Sequence, residues 1–296
     1  MEVLSFIFSL LYQYADSIAL LLLSSVGLII IFGMMGVINM AHGELMMIGA
    51  YVTAWSYHAG VPTGFAIIMG GIGAGCVGIL IERLIVRRFY GQLLASLVAT
   101  WGLSLVLSQS FLLLFGPGPK GVPTPFGSFT VGQLSYSYYR LVMLASALAM
   151  ILGVWALFTF TRFGVQARST MENPEVARAL GINTSAIYAL TFGFGSMLAG
   201  LAGGIFALTA LIEPNFGQSY TVVAFITVVV GGGADFVSGL FASALILAGV
   251  KTIIINQVNI LLGQVAMMVT ALIIIRLMPT GLSGYFERIR LRVGRR

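Results

Sequence analysis

Apolar residues in this chain run in blocks too long and too continuous for a soluble fold. They cover residues 17–37, 38–58, 62–82, 92–115, 138–160, 186–210, 220–250 and 258–278. Each block reaches the ~20 residues that a helix needs to cross the hydrocarbon core, and none alternates as a half-wet strand does. In lipid every backbone N–H and C=O must find its partner inside the protein, so the pattern predicts helices. An outer-membrane barrel is disfavoured, because its strands alternate over only about ten residues. The expectation is an all-α, polytopic helical membrane protein of about eight apolar segments, forming a single transmembrane domain over residues 1–296.

Three interruptions organise these blocks. Residues 115–137 are rich in Pro and Gly and hold one charge, Lys120. Residues 162–185 form the only long polar stretch, carrying Arg168, Glu172, Glu175 and Arg178. Within it, MENPEVARALGINTSA predicts a short amphipathic helix after Pro174, ended by Gly181. Inside the seventh block, Gly231-Gly232-Gly233-Ala234-Asp235 is a run that an intact helix tolerates poorly.

Composition agrees: hydrophobic residues make up 59% and charged residues 8%, with a mean hydropathy of +1.03, against about 25% charge in soluble domains. The net charge of +6 is no nucleic-acid signal, because basic residues gather in short loops and at the C-terminus. Charge bias sets an expected orientation. Glu2 and Asp16, with no Lys or Arg nearby, place the N-terminus outside; Arg83, Arg87 and Arg88, then Arg162 to Arg178, fall inside. A single span over 220–250 would leave the basic tail (Arg288, Arg290, Arg292, Arg295, Arg296) outside. Two half-helices meeting at the glycine run, as a re-entrant pair, restore a cytoplasmic tail anchored near anionic lipid. The lone Cys76 is expected to serve small-residue packing, and a start of Met-Glu without basic residues predicts no cleaved signal peptide.

Residues 27–51, GLIIIFGMMGVINMAHGELMMIGAY, set Asn39, His42 and Glu44 between two apolar runs, where ionisable groups are expensive. Two readings stay open: a polar element along a solute path, or a short cytoplasmic turn in which His42 and Glu44 cap helix ends. A metal site is disfavoured, since His58 is the only other histidine and HExxH is absent. Glycines 193, 195, 200, 203 and 204, and 71, 73, 75 and 78, predict close helix packing. In residues 213–235, EPNFGQSYTVVAFITVVVGGGAD, Gln218, Ser219 and Tyr220 stand at the outer end of a short helix containing Thr227. That helix breaks at Gly231, Gly232 and Gly233, and broken helices line transport cavities. Asp235 is expected to cap the second half. GxxxxGK[ST] and GxSxG are absent, and residues 232–235 miss Gly-x-Gly-Asp, so neither catalysis nor a bound cofactor is expected.

Four motifs, GVINMAHGELMMIGAY (36–51), ENPEVARALGI (172–182), FITVVVGG (225–232) and LMPTGLSG (277–284), follow in order across nearly the whole chain. Together they resemble the permease subunits of bacterial ABC importers for branched-chain amino acids and urea. ATWGLSLVLSQ (99–109) and the GQSY of residues 217–220 look more like the urea branch, whereas GGGAD at 231–235 departs from its usual GGxG run. The resemblance implies an inner-membrane subunit that pairs with a second, related permease, usually as a heterodimer. It implies two cytoplasmic ATPases, an extracytoplasmic solute-binding protein, and a coupling segment for the ATPases at Glu172, Glu175, Ala177, Arg178 and Gly181. Urea or a short amide is the first expected solute, suited by donors and acceptors on Asn39, Gln218, Ser219, Tyr220 and Thr227. A branched-chain amino acid comes next, its zwitterion suited by His42 with Glu44. The competing reading is a partner-independent channel or ion-coupled carrier, for which Glu44 and Asp235 are the candidate embedded carboxylates.

Overall fold

The structure, a computed structural model, describes residues 2–119, 121–233 and 235–285; Lys120, Ala234 and the tail arginines 288–296 lie outside the described residues. The helices are α1 (Glu2–Met35), α2 (His42–His58), α3 (Thr63–Leu84), α4 (Leu93–Phe115), α5 (Tyr138–Phe160), α6 (Arg162–Glu172), α7 (Pro174–Ala179), α8 (Thr184–Phe206), α9 (Phe216–Gly231), α10 (Phe236–Gln257) and α11 (Ile260–Leu277). Seven of the described helices are long and apolar enough to cross a membrane. α2 and α9, at 17 and 16 residues, are shorter.

The expected segments need correction at both ends of the scale. The first block begins at Glu2 and makes a helix of 34 residues, about 51 Å long at ~1.5 Å per residue. Its early polar positions are partnered. The Tyr12 hydroxyl donates to the Ser137 carbonyl (2.7 Å), Tyr14 to Leu245 (3.0 Å), and the Asn256 amide to Gln13 Oε1 (3.0 Å). Arg140 pairs with Asp16, the one ion pair among the described residues. What reads as a polar flank is the inner side of a helix.

The block at 220–250 is two helices: α9 stops at Gly231 and α10 starts at Phe236. Asp235 caps α10, accepting from the Val237 N–H (3.3 Å) and the Ser238 hydroxyl (2.6 Å). The Pro/Gly-rich loop, with no strand expected, contains an antiparallel hairpin of β1 (Ser128–Val131) and β2 (Leu134–Ser137). Gly132 opens its two-residue turn at φ +66°, where a primed turn needs a glycine. The polar stretch holds two helices rather than one, α6 preceding α7.

Two compact units emerge, each from discontinuous chain. The smaller takes Met1–Ser25, Thr124–Ile151 and Val223–Arg296; the larger takes Val26–Pro123 and Leu152–Val222. In the smaller unit the last motif meets the third: residues 280–281 pack on Gly232, so closely that a Cβ there would crowd the Thr280 carbonyl. In the larger unit α2, α3 and α8 pack on one another. Their glycine strips bring backbones into contact, with no room for a Cβ on Gly49 against Gly200 or on Gly203 against Met46. Cys76, by contrast, is exposed on α3 and fills no interface among the described residues.

Candidate functional site

Between the end of α1 and the start of α2, residues 36–41 are not helical. Backbone groups there lack helical partners, yet Val37, Asn39 and Ala41 are buried and Ile38 and Met40 half-buried, so something else must satisfy them. α4 does so. The Ile38 N–H donates to Ser96 Oγ (3.3 Å) and the Met40 N–H to Thr100 Oγ1 (3.0 Å). The Thr100 hydroxyl shares its proton between the Ile38 carbonyl (3.0 Å) and carbonyls of its own helix, Ser96 (2.7 Å) and Leu97 (3.2 Å). One turn on, the Ser104 hydroxyl donates to Glu44 Oε1 (2.8 Å), and another turn on Ser108 donates to Asn215 Oδ1 (3.5 Å).

Positions 96, 100, 104 and 108 are four apart and so form one stripe along α4. All four are buried, while Leu94, Val98, Val106, Leu113 and Leu114 of the same helix are exposed apolar residues. A helix otherwise suited to lipid thus turns a ladder of hydroxyls onto the broken backbone.

α9 closes the other side. The Gly43 N–H donates to Thr221 Oγ1 (3.1 Å). A Cβ on Gly43 would overlap the Gly217 carbonyl, and one on Gly217 would overlap the carbonyl of Gly43. Only glycine at both positions lets the first turns of α2 and α9 touch.

A cavity of about 190 Å³ opens among these elements, lined by Met40, Trp101, Ser104, Leu105, Gln218, Thr221 and Val222. Its wall is largely apolar, with hydrogen-bonding groups on Ser104, Gln218 and Thr221 and an indole N–H on Trp101. Ser104 belongs both to that wall and to Glu44, so the carboxylate stands one hydrogen bond behind the cavity. Glu44 Oε2 and Asn39 Nδ2 are buried without a partner among the described residues, a condition that costs about 1–3 kcal/mol for a neutral group and more for a charged one. Native structures keep few such groups, and each calls for an explanation.

Asn39, His42 and Glu44 are all buried at 1% or less, so the structure does not make them a solvated turn. Asn39 Oδ1 accepts from the Ala41 N–H (3.1 Å), and the N-cap Ala41 offers α2 no side-chain cap. Gln218 lines the cavity; Ser219 is exposed and does not. Tyr220 stacks on Phe206 with ring centroids 4.7 Å apart and planes 8° apart. Thr227 lies in the smaller unit, where its hydroxyl donates to the Val223 carbonyl (2.8 Å) and its carbonyl accepts from Ser243 (2.8 Å). The structure therefore gathers Asn39, Glu44 and Gln218 with the α4 stripe, and Ser219 is not part of the cavity wall. Ser96, Thr100, Ser104, Ser108, Trp101 and Thr221 were not expected; the four-residue spacing of hydroxyls in an apolar helix is the signal that reveals most of them.

The segment expected to meet the ATPases is capped at both ends. Asn173 Oδ1 accepts from the N–H groups of Glu175 (3.0 Å) and Val176 (3.1 Å). At the far end the Gly181 N–H bonds the Arg178 carbonyl and Ile182 bonds Ala177, both at 3.0 Å, with Gly181 at φ +84°. This is a Schellman ending, which favours glycine at that position. Glu172, Glu175 and Arg178 are exposed, as are Val176 and Leu180, while Ala177 is buried. Gly231 and Gly232 are buried at the break, and Gly233 and Asp235 exposed.

A many-helix membrane fold in which the α1–α2 break and the short α9 border a small mixed cavity is the arrangement that membrane transport proteins use. The profile described as branched-chain amino acid transport system / permease component matches residues 10–278, and the chain belongs to that family. The high-affinity branched-chain amino acid transport system permease protein LivH of Escherichia coli K12 is 28% identical over 279 residues, covering 88% of this chain and 90% of its own length. The corresponding BraD of Pseudomonas aeruginosa is 28% identical over 227 residues, 71% of this chain and 74% of its own. The autoinducer 2 import system permease protein LsrC of Yersinia pseudotuberculosis is 28% identical over 208 residues, 66% of this chain and 58% of its own. No solved structure matches the chain.

Proposed function

We propose that this chain is a permease subunit of an ATP-driven importer in the inner membrane, and that the α2–α4–α9 cavity is a station on the solute's path. The observation that carries this reading is Ser104, whose hydroxyl lines the cavity and holds the buried Glu44 carboxylate. Met40, Trp101, Leu105 and Val222 suit an aliphatic side chain, and Ser104, Gln218 and Thr221 suit polar ends. A branched-chain amino acid, the solute named for LivH and BraD, fits that mixture. Urea is the second reading, favoured by the GQSY resemblance, whose Gln218 faces the cavity.

The partners are a second related permease, two cytoplasmic ATPases that meet α7 through Glu175 and Arg178, and an extracytoplasmic solute-binding protein. The N-terminus lies outside and the C-terminus in the cytoplasm. The test is co-purification with the ATPases, then uptake of labelled leucine, isoleucine, valine and urea in proteoliposomes. Ser104→Ala and Gln218→Leu are expected to lower uptake while basal ATP hydrolysis persists. Full uptake by this chain without ATPases, or unchanged uptake in both variants, overturns the reading.

A further inference from the structure

One buried cluster in the larger unit takes no part in the cavity. Glu82, on the last turn of α3, is 1% exposed. Its Oε1 accepts from the Tyr90 hydroxyl, and its Oε2 has no partner among the described residues. Burial, and after it the Glu82 carboxyl, push the Tyr90 hydroxyl well above the ordinary tyrosine range, so it stays protonated and donates. The Tyr90 ring packs on Tyr188, near the start of α8, with centroids 4.6 Å apart. Tyr188 in turn lies within electrostatic reach of Arg178 on α7.

Three chain ends converge here: the end of α3, the lead-in to α4 through the 3-10 turn Val86–Phe89, and the start of α8 just after α7. α3 and α8 are locked together by their glycine strips, but α4 is not. Within the larger unit α4 is held at its base by that lead-in and along its length by the hydroxyl stripe. Ser104 lies about 17 Å up α4 from Leu93 at ~1.5 Å per residue. A displacement at the base of α4 would be carried by a stiff helix to the Ser104–Glu44 bond.

We propose that Glu82, Tyr90 and Tyr188 form a positioning joint that passes movement of α7 into α4 and so to the cavity. This rests on the importer reading, in which α7 meets an ATPase. The joint works through contact: the Tyr90–Glu82 bond fixes the base of α4 to α3, and the Tyr90–Tyr188 packing lets α8 push on it.

The test measures solute uptake and ATP hydrolysis together in proteoliposomes holding the assembled importer. Tyr90→Phe keeps the ring and removes the donor; it is expected to lower solute moved per ATP by about tenfold, the worth of a hydrogen bond to a carboxylate. Glu82→Gln keeps an acceptor and is expected to stay close to wild type. Combining the two is expected to be no worse than Tyr90→Phe alone, because both act on one bond. An unchanged ratio in Tyr90→Phe overturns the joint, as does a fall of uptake and hydrolysis in equal proportion, the mark of a mere folding defect. A wild-type assembly that moves solute without hydrolysing ATP instead overturns the importer reading, and the joint with it.

Discussion

Replacing Thr100 by Val keeps the shape of the side chain and deletes the hydroxyl on which the broken segment hangs. The Met40 N–H loses its acceptor at 3.0 Å and the Ile38 carbonyl loses its donor at 3.0 Å. Neither has a helical partner to fall back on, since residues 36–41 are non-helical. Ile38 and Met40 are half-buried, and a fully buried backbone group stripped of its partner costs about 1–3 kcal/mol, so that range is an upper bound for each. The Ile38 carbonyl shares the Thr100 proton with two others and so loses less, which brings the sum to at most about 2–4 kcal/mol. At ~1.4 kcal/mol per decade this is at most about a 30- to 700-fold rise in the population with an unlatched segment. Amide hydrogen exchange reads that population directly. Exchange at residues 38–41 is expected to quicken by up to that factor, with α8 unchanged, and uptake is expected to fall alongside. Thr100→Ser keeps the hydroxyl and is expected to behave like the wild type. Unaltered exchange at 38–41 in Thr100→Val, or equal damage from Val and Ser, would refute the reasoning.

Three further outcomes are expected. Gly217→Ala drives a methyl into the Gly43 carbonyl and is expected to abolish the folded yield, whereas Gly64→Ala meets no atom within 4 Å and is expected to leave thermal melting in detergent unchanged or slightly raised. Asn173→Ala removes the cap of α7, costs about 1 kcal/mol locally, and is expected to lower uptake more than ATP hydrolysis in the reconstituted importer. Charge reversal at Glu175 or Arg178, both exposed, is expected to separate hydrolysis from uptake at normal membrane insertion; unchanged uptake at normal expression would count against α7 as the ATPase contact.

Legibility varied with the range of the forces involved. α7 was readable almost to the residue because Asn173, Pro174 and Gly181 act on their own neighbours: cap, first-turn proline and left-handed stop all lie within ten residues. The break before α10 was readable for the same reason. The first turns of α1 were not, because Tyr12, Gln13, Tyr14 and Asp16 are polar in sequence and find partners only at residues 137, 256, 245 and 140. Thr227 and Thr221 sit on the same apolar helix and look alike from the sequence. Both hydroxyls donate to the carbonyl four residues back, and only packing tells them apart, because Thr221 also accepts from the N–H of Gly43.

By itself, then, the sequence determined the solvent, most of the helices, and the stops at Gly181 and at the glycine run before α10. Hydropathy adds along the chain and capping is local, so neither waits for the fold. The tertiary structure decided the site. A serine in a lipid-facing helix can satisfy itself on the preceding turn, so the spacing 96–100–104–108 marks a polar stripe in the sequence but not what that stripe binds. Its partners at 38, 40 and 44 lie about 60 residues away in sequence. Their meeting, like the glycine-sized gap that lets α2 and α9 touch, shows only in the assembled helices.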